Sequence, residues 1–123
     1  MGTKYLRLLS LDLGITTGFA TWDGAELSEH GVVPDYFLRQ WCYEMSEREW
    51  DAVIGEEPIY IRGPLGESLQ DVTRVVKNFF PDIRMFSASQ WKNTKYRNAE
   101  VPPKISIHAR DAIRFGTWFQ NRS

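Results

Sequence analysis

The chain has 123 residues, 42% apolar and 14% aromatic, with one cysteine and a formal net charge of −1. This length suits one domain with a packed core, and the composition excludes disorder, an internal disulfide and a cysteine-based zinc cluster. The near-neutral total conceals an asymmetry: residues 1–61 carry 4 Lys and Arg against 11 Asp and Glu, and residues 62–123 carry 11 against 5, which points to an anionic partner for the second half.

The N-terminal apolar stretch is interrupted by Arg7 and Asp12, so neither a signal peptide nor a membrane span is expected, and a cytoplasmic location follows. Within it Leu9, Leu11 and Leu13 alternate with Ser10 and Asp12. As a strand this places the leucines on one side and the carboxylate on the other, before a turn bounded by Gly14 and Gly18. Phe19 to Trp22 reads as a second strand, Asp23-Gly24 as a tight turn and Glu26 to Val33 as a third strand, giving three antiparallel strands. From Pro34-Asp35 the apolar positions Phe37, Leu38, Trp41 and Met45 define one helical face, with Cys42 beside it as a core thiol. The run Asp51 to Gly55 is a fourth strand that ends in Glu56, Glu57 and Pro58. A Gly- and Pro-rich loop, Ile59 to Gly66, follows it. A helix from Ser68 carries Leu69, Val72, Val75, Val76 and Phe79 on a stripe suited to the sheet or to a second copy of the chain. Ile83 to Phe86 is a fifth strand, Ser87 to Lys92 leads out of it, and a helix from about Lys104 to Gln120 follows Pro102-Pro103. The order predicts one α/β domain over residues 1–123, with a mixed five-stranded sheet flanked by helices.

Three acidic positions on separate elements stand out: Asp12, Glu56 or Glu57, and Asp111, which shares a helix face with His108 three residues earlier. If the first and fourth strands are neighbours, Asp12 and the glutamate meet at one end of the sheet and the last helix closes over them. Carboxylates so gathered repel one another, and a divalent cation relieves that repulsion. Oxygen ligands favour Mg²⁺ or Mn²⁺, with the imidazole better suited to Mn²⁺. Two such ions, roughly 3.5–4 Å apart, would activate water against a phosphodiester.

The motifs Leu11-Asp12-Leu13-Gly14-Ile15-Thr16-Thr17-Gly18, Ala52-Val53-Ile54-Gly55-Glu56-Glu57, Ser87-Ala88-Ser89-Gln90-Trp91-Lys92 and His108-Ala109-Arg110-Asp111-Ala112 together resemble RuvC-type Holliday junction resolvases of the RNase H-like fold, particularly their short phage-encoded relatives. The resemblance spans nearly the whole chain in order. It implies a homodimeric, metal-dependent endonuclease acting on four-way and other branched DNA. Asp12, Glu56, His108 and Asp111 would be the catalytic metal ligands, and Lys92 a basic residue at the scissile phosphate. Tyr60 would be an aromatic that stacks on bases, and the helix bearing Leu69, Val72, Val75, Val76 and Phe79 the dimer contact. Phosphate contacts would come from Arg62, Arg74, Lys77, Lys92, Lys95, Arg97 and Arg110. Only 16 residues separate Trp91 from His108, fewer than the family has there, which implies the loss of a helical DNA-contacting arm. Competing readings are an RNase H-like nuclease acting on RNA–DNA hybrids, flaps or structured RNA, and a catalytically silent DNA-binding module. An actin-like ATP binder would need a second domain for which 123 residues leave no room.

Overall fold

The leucine alternation at the N-terminus forms β1 (Arg7–Asp12), the central strand of a five-stranded mixed sheet. The computed structural model describes residues 7–59 and 62–122. β2 (Thr16–Asp23) and β3 (Glu26–Pro34) complete an antiparallel meander with β1. The Asp23-Gly24 turn joins them with Gly24 at φ +64°, a conformation glycine adopts without steric cost. α1 (Asp35–Ser46) then returns along one face. β4 (Ala52–Glu56) pairs parallel to β1, α2 (Pro64–Phe79) crosses back, and β5 (Arg84–Phe86) pairs parallel to β4, giving the order β3-β2-β1-β4-β5. α3 (Ala88–Lys92), a 3-10 turn at Lys95–Asn98 and α4 (Ile107–Asn121) complete the chain. The predicted element order and sheet are therefore those observed.

Strands three, four and five shift by one residue at an end from the sequence reading, and four other places differ more. β2 begins three residues early, at Thr16, because its pairing with β3 runs on past Gly18 to Thr16 opposite Pro34. α2 begins at Pro64 rather than Ser68, because Gly63 at φ +92° turns the chain and the fixed φ of proline suits a first helical position. Ser87 to Lys92 is not a plain lead-out. Ser87 and Gln90 form a reciprocal capping box that winds α3. α4 begins at Ile107 and not at Lys104, since Lys104 lies at φ +59°, outside helical space, and the Ser106 hydroxyl accepts from Ala109 N–H at 3.1 Å as the cap.

Each face of the sheet has its own core. Leu9, Leu11 and Leu13 pack with Val33, with Leu38, Trp41, Cys42 and Met45 of α1, and with Val72 and Val76 of α2. Cys42 is fully buried, and burial pushes its thiol up to about 12. On the other face Leu8, Ala20, Trp22, Ile54, Phe86 and Trp91 pack against Ala112, Ile113, Phe115, Trp118 and Phe119, all from α4. No helix among the described residues is long and apolar enough to cross a membrane.

Gly18 sets how closely α4 approaches. A Cβ there would lie 2.0 Å from the His108 carbonyl oxygen, so the first turn of α4 rests on bare backbone opposite Asp12, the β1 partner of Gly18. Gly18→Ala is accordingly expected to destabilise the fold by about 1–3 kcal/mol through overpacking, read as a lower urea midpoint at unchanged slope.

Candidate active site

Asp12 ends β1 and Glu56 ends β4, and the parallel register sets them directly opposite one another. Ser10 and Asp12 point to the α4 face, away from the leucines, and the Ser10 hydroxyl ties β1 to α4 through the Ala112 carbonyl at 2.8 Å. Both carboxylates are withdrawn from water, with side chains 14% and 8% exposed for Asp12 and Glu56. Glu57, the alternative ligand, is exposed, and its N–H extends the pairing with β5 through the Phe86 carbonyl at 2.8 Å. Strand alternation thus selects Glu56 as the inward residue.

The indole N–H of Trp91 donates to Glu56 Oε1 at 2.6 Å. This buried bond fixes one glutamate oxygen, and α3, wound by its capping box, supplies both Trp91 and the next residue, Lys92. The Lys92 ammonium stands 3.8 Å from the same oxygen. On α4, His108 Nδ1 approaches Asp12 Oδ2 at 3.7 Å, and Asp111 is close enough for its charge to act on Asp12. The structure therefore brings Asp12, Glu56, His108, Asp111 and Lys92 to one end of the sheet, although they are up to 99 positions apart in sequence.

These neighbours leave Asp12 reluctant to ionise. Burial first, then a side-chain hydrogen bond with Glu56, then the charges of Glu56 and Asp111 raise its pKa from 3.8 to about 8, against a smaller lowering by Lys92. Two adjacent carboxylates of which one prefers to keep its proton form a donor set that a hard divalent cation fits. Among the described residues no group of three or more His, Cys, Asp or Glu side chains is placed to hold a metal ion together, so Asp12, Glu56, His108 and Asp111 do not form a ready-made ligand set. An open, two-carboxylate seat completed by water and a substrate phosphate is the arrangement that Mg²⁺ commonly uses.

The other named residues divide between the faces. Lys92, Lys95 and Arg97 lie on α3 and the 3-10 turn, on the α4 side. Arg110 is half-buried on α4, with its guanidinium Nε buried and without a hydrogen-bond partner. Arg74 and Lys77 instead lie on α2, beyond the sheet, where Arg74 pairs with Asp71. Arg62 is exposed just before α2, and Tyr60 lies outside the described residues. On the expected dimer helix Val72 and Val76 are buried within the chain against β1 and α1, which removes them from any contact with a partner. Leu69, Val75 and Phe79 stay partly exposed. The stretch between Trp91 and His108 contains only the 3-10 turn and no helical arm. Trp91, Ser10 and Gly18 carry positioning roles that the sequence did not single out, because each acts on a partner far away in the chain.

No protein-family model matches the sequence, and no curated protein matches it. Among solved structures the chain is similar to Thermus thermophilus RuvC in complex with a Holliday junction substrate, with a TM-score of 0.72 and 16% identity, covering 91% of this chain and 90% of that one. A second Thermus thermophilus RuvC structure matches with a TM-score of 0.68 and 18% identity, covering 90% and 91%. The likeness shows the RuvC, RNase H-like fold, in agreement with the resemblance read from the motifs.

The raised pKa of Asp12 gives a pH dependence of determined sign. The folded chain binds this proton more tightly than the unfolded one, so the associated stability is full below pH 3.8 and is lost as pH rises through about 8. In metal-free buffer Asp12→Asn is expected to gain stability relative to wild type between pH 5 and pH 9, by on the order of 1–3 kcal/mol, with Mg²⁺ narrowing the difference; urea melts across that range check it. Trp91→Phe, which leaves a buried Glu56 oxygen without its donor, is expected to cost about 1–3 kcal/mol in the same melts.

Proposed function

We propose that the chain is a metal-dependent endonuclease that hydrolyses phosphodiesters in branched DNA, four-way junctions above all. The observation that carries this reading is the buried Asp12–Glu56 pair, flanked by His108, Asp111 and Lys92 at the end of the sheet. The similarity to RuvC, whose solved structure includes a Holliday junction substrate, supports the choice of substrate.

Asp12 and Glu56 would hold the cation, with His108 and Asp111 completing the set from α4. Mg²⁺ or Mn²⁺ there, two ions in a full site, supplies water activation and neutralisation of the charge that builds on the phosphate. The residues of the chain prepare the seat. The Trp91 N–H holds one Glu56 oxygen in place, and the wall of Phe115 and Trp91 keeps water from that side of the carboxylates. Lys92, the cation nearest Glu56, faces the developing negative charge and steadies it. Lys95, Arg97 and Arg110 extend positive potential from the site along the DNA backbone. A homodimer formed through the partly exposed edge of α2 at Leu69, Val75 and Phe79 would present two such sites to the two strands of a junction.

The test is cleavage of a synthetic four-way junction and of an RNA–DNA hybrid duplex in Mg²⁺ and in Mn²⁺. Wild type is expected to cut the junction, and Asp12→Asn and Glu56→Gln to lose cutting by roughly 10²-fold or more while still binding it. Cutting of the hybrid alone would transfer the assignment to another RNase H-like activity.

A further inference from the structure

On the α4 face, away from the carboxylates, two arginines share one aromatic platform. The Arg84 guanidinium lies 5.1 Å from the ring centroid of Phe119 and 5.6 Å from that of Phe86. The Arg122 guanidinium lies 4.6 Å from Phe119, 5.2 Å from Phe86 and 5.6 Å from Trp118. The rings brace one another, Phe86 meeting Trp118 edge-on at 5.4 Å and Phe119 at 5.8 Å. Both arginines are exposed, and among the described residues neither forms an ion pair with a carboxylate.

Two guanidinium groups gathered on the same rings repel each other, and among the described residues no carboxylate forms an ion pair with either. An arginine stacked on a ring keeps its in-plane N–H donors for a second ligand, and the planar fork matches an oxyanion. Position narrows the choice of anion. Arg84 pairs in register with Ile54, two residues behind the Phe86–Glu56 level, so along the strand it is only about 7 Å short of the carboxylate pair. The same aromatic wall runs from Phe86 through Phe115 to Trp91, the residue that holds Glu56. A polyanion whose one phosphate sits at Asp12 and Glu56 therefore has later phosphates within reach of the arginine pair.

We propose that Arg84 and Arg122 form a second phosphate-binding site, a clamp on the DNA backbone that leaves the catalytic pocket over the β5 edge. This rests on the nuclease reading for the nature of the polyanion. The clamp reads no base and adds a purely electrostatic contact, so its signature is the salt dependence of binding.

The experiment measures binding of a four-way junction in EDTA, where nothing is cut, over a series of salt concentrations, with wild type, R84Q/R122Q and R84K/R122K. Each lost phosphate contact is worth about 0.9 in the slope of log affinity against log salt, so the glutamine pair is expected to flatten the slope by ~2 and to weaken binding about tenfold at low salt. The lysine pair keeps the charge and is expected to retain the wild-type slope. Thermal melts show that each variant is folded; should the glutamine pair unfold, R84Q and R122Q singly are each expected to flatten the slope by ~1. A folded glutamine variant with the wild-type slope would overturn the clamp while leaving the nuclease reading intact. A wild-type chain with no salt-dependent junction binding would overturn both, and needs no variant to be seen.

Discussion

The structure depends on two carboxylates made to face each other where water is scarce. Neighbouring parallel strands bring Asp12 and Glu56 together by register, and the backbone has no freedom to separate them without slipping the sheet. Left alone the pair is unfavourable, as the raised pKa of Asp12 records. The surrounding elements are arranged to impose it. The Trp91 N–H, bound to Glu56 at 2.6 Å, prevents the glutamate from turning away. Gly18 lets the first turn of α4 settle beside Asp12, and the bond from Ser10 to Ala112 anchors the next turn. On the nuclease reading such imposed electrostatic crowding prepares the site for a cation, since the folded chain supplies the repulsion that a cation would remove.

The two faces of the sheet divide the labour. The face covered by α1 and α2 is filled mainly by apolar side chains, Leu9, Leu11, Leu13, Leu38, Trp41, Val72 and Val76, and provides the rigid support. The α4 face is mixed. Toward the far end of the strands it is a packed aromatic cluster, and toward the near end it opens onto the carboxylates. The charge asymmetry along the sequence becomes an asymmetry in space by the same route. Basic residues of α3, the 3-10 turn, β5 and α4 belong to the α4 side of the sheet, and Lys92 of α3 stands beside Glu56. The surplus on α2 is directed elsewhere, and Arg74 is neutralised by Asp71 one turn away.

What sequence reasoning could read was whatever repeats at short range. The alternation of Leu9, Leu11 and Leu13 fixed the orientation of Asp12, and the helical spacing of His108 and Asp111 put both on one side of α4. The order of elements fixed the sheet. The choice between Glu56 and Glu57 was not readable, because it depends on how far β4 stays in register with β5, and that pairing lies 30 residues away in the chain. Trp91 was visible only as part of a motif: its bond to Glu56 spans 35 positions, and no local pattern announces it. The start of α4 was placed early because Pro102-Pro103 is a sound helix-opening signal, which the left-handed backbone at Lys104 defeats. The basic residues were legible as a surplus but not as a surface, since charge alone does not say which face of the sheet an element covers.

An open seat rather than a closed cage has a consequence for selectivity. On the nuclease reading, two protein carboxylates would hold Mg²⁺ weakly, and the coordination shell would be filled by water or by the phosphate to be cut. On the nuclease reading, affinity for the ion and placement of the substrate are then linked: each improves the other by the same free energy. DNA that lies badly in the site neither completes the shell nor brings its phosphate to Lys92, so it gains little of the stabilisation on which cleavage depends. The contacts far from the carboxylates, on α3 and along the β5 edge, act in this scheme by setting where the backbone lies. On that reading recognition of branched shape would be converted into catalysis by geometry, with the raised pKa of Asp12 as the cost the chain bears for the crowded pair.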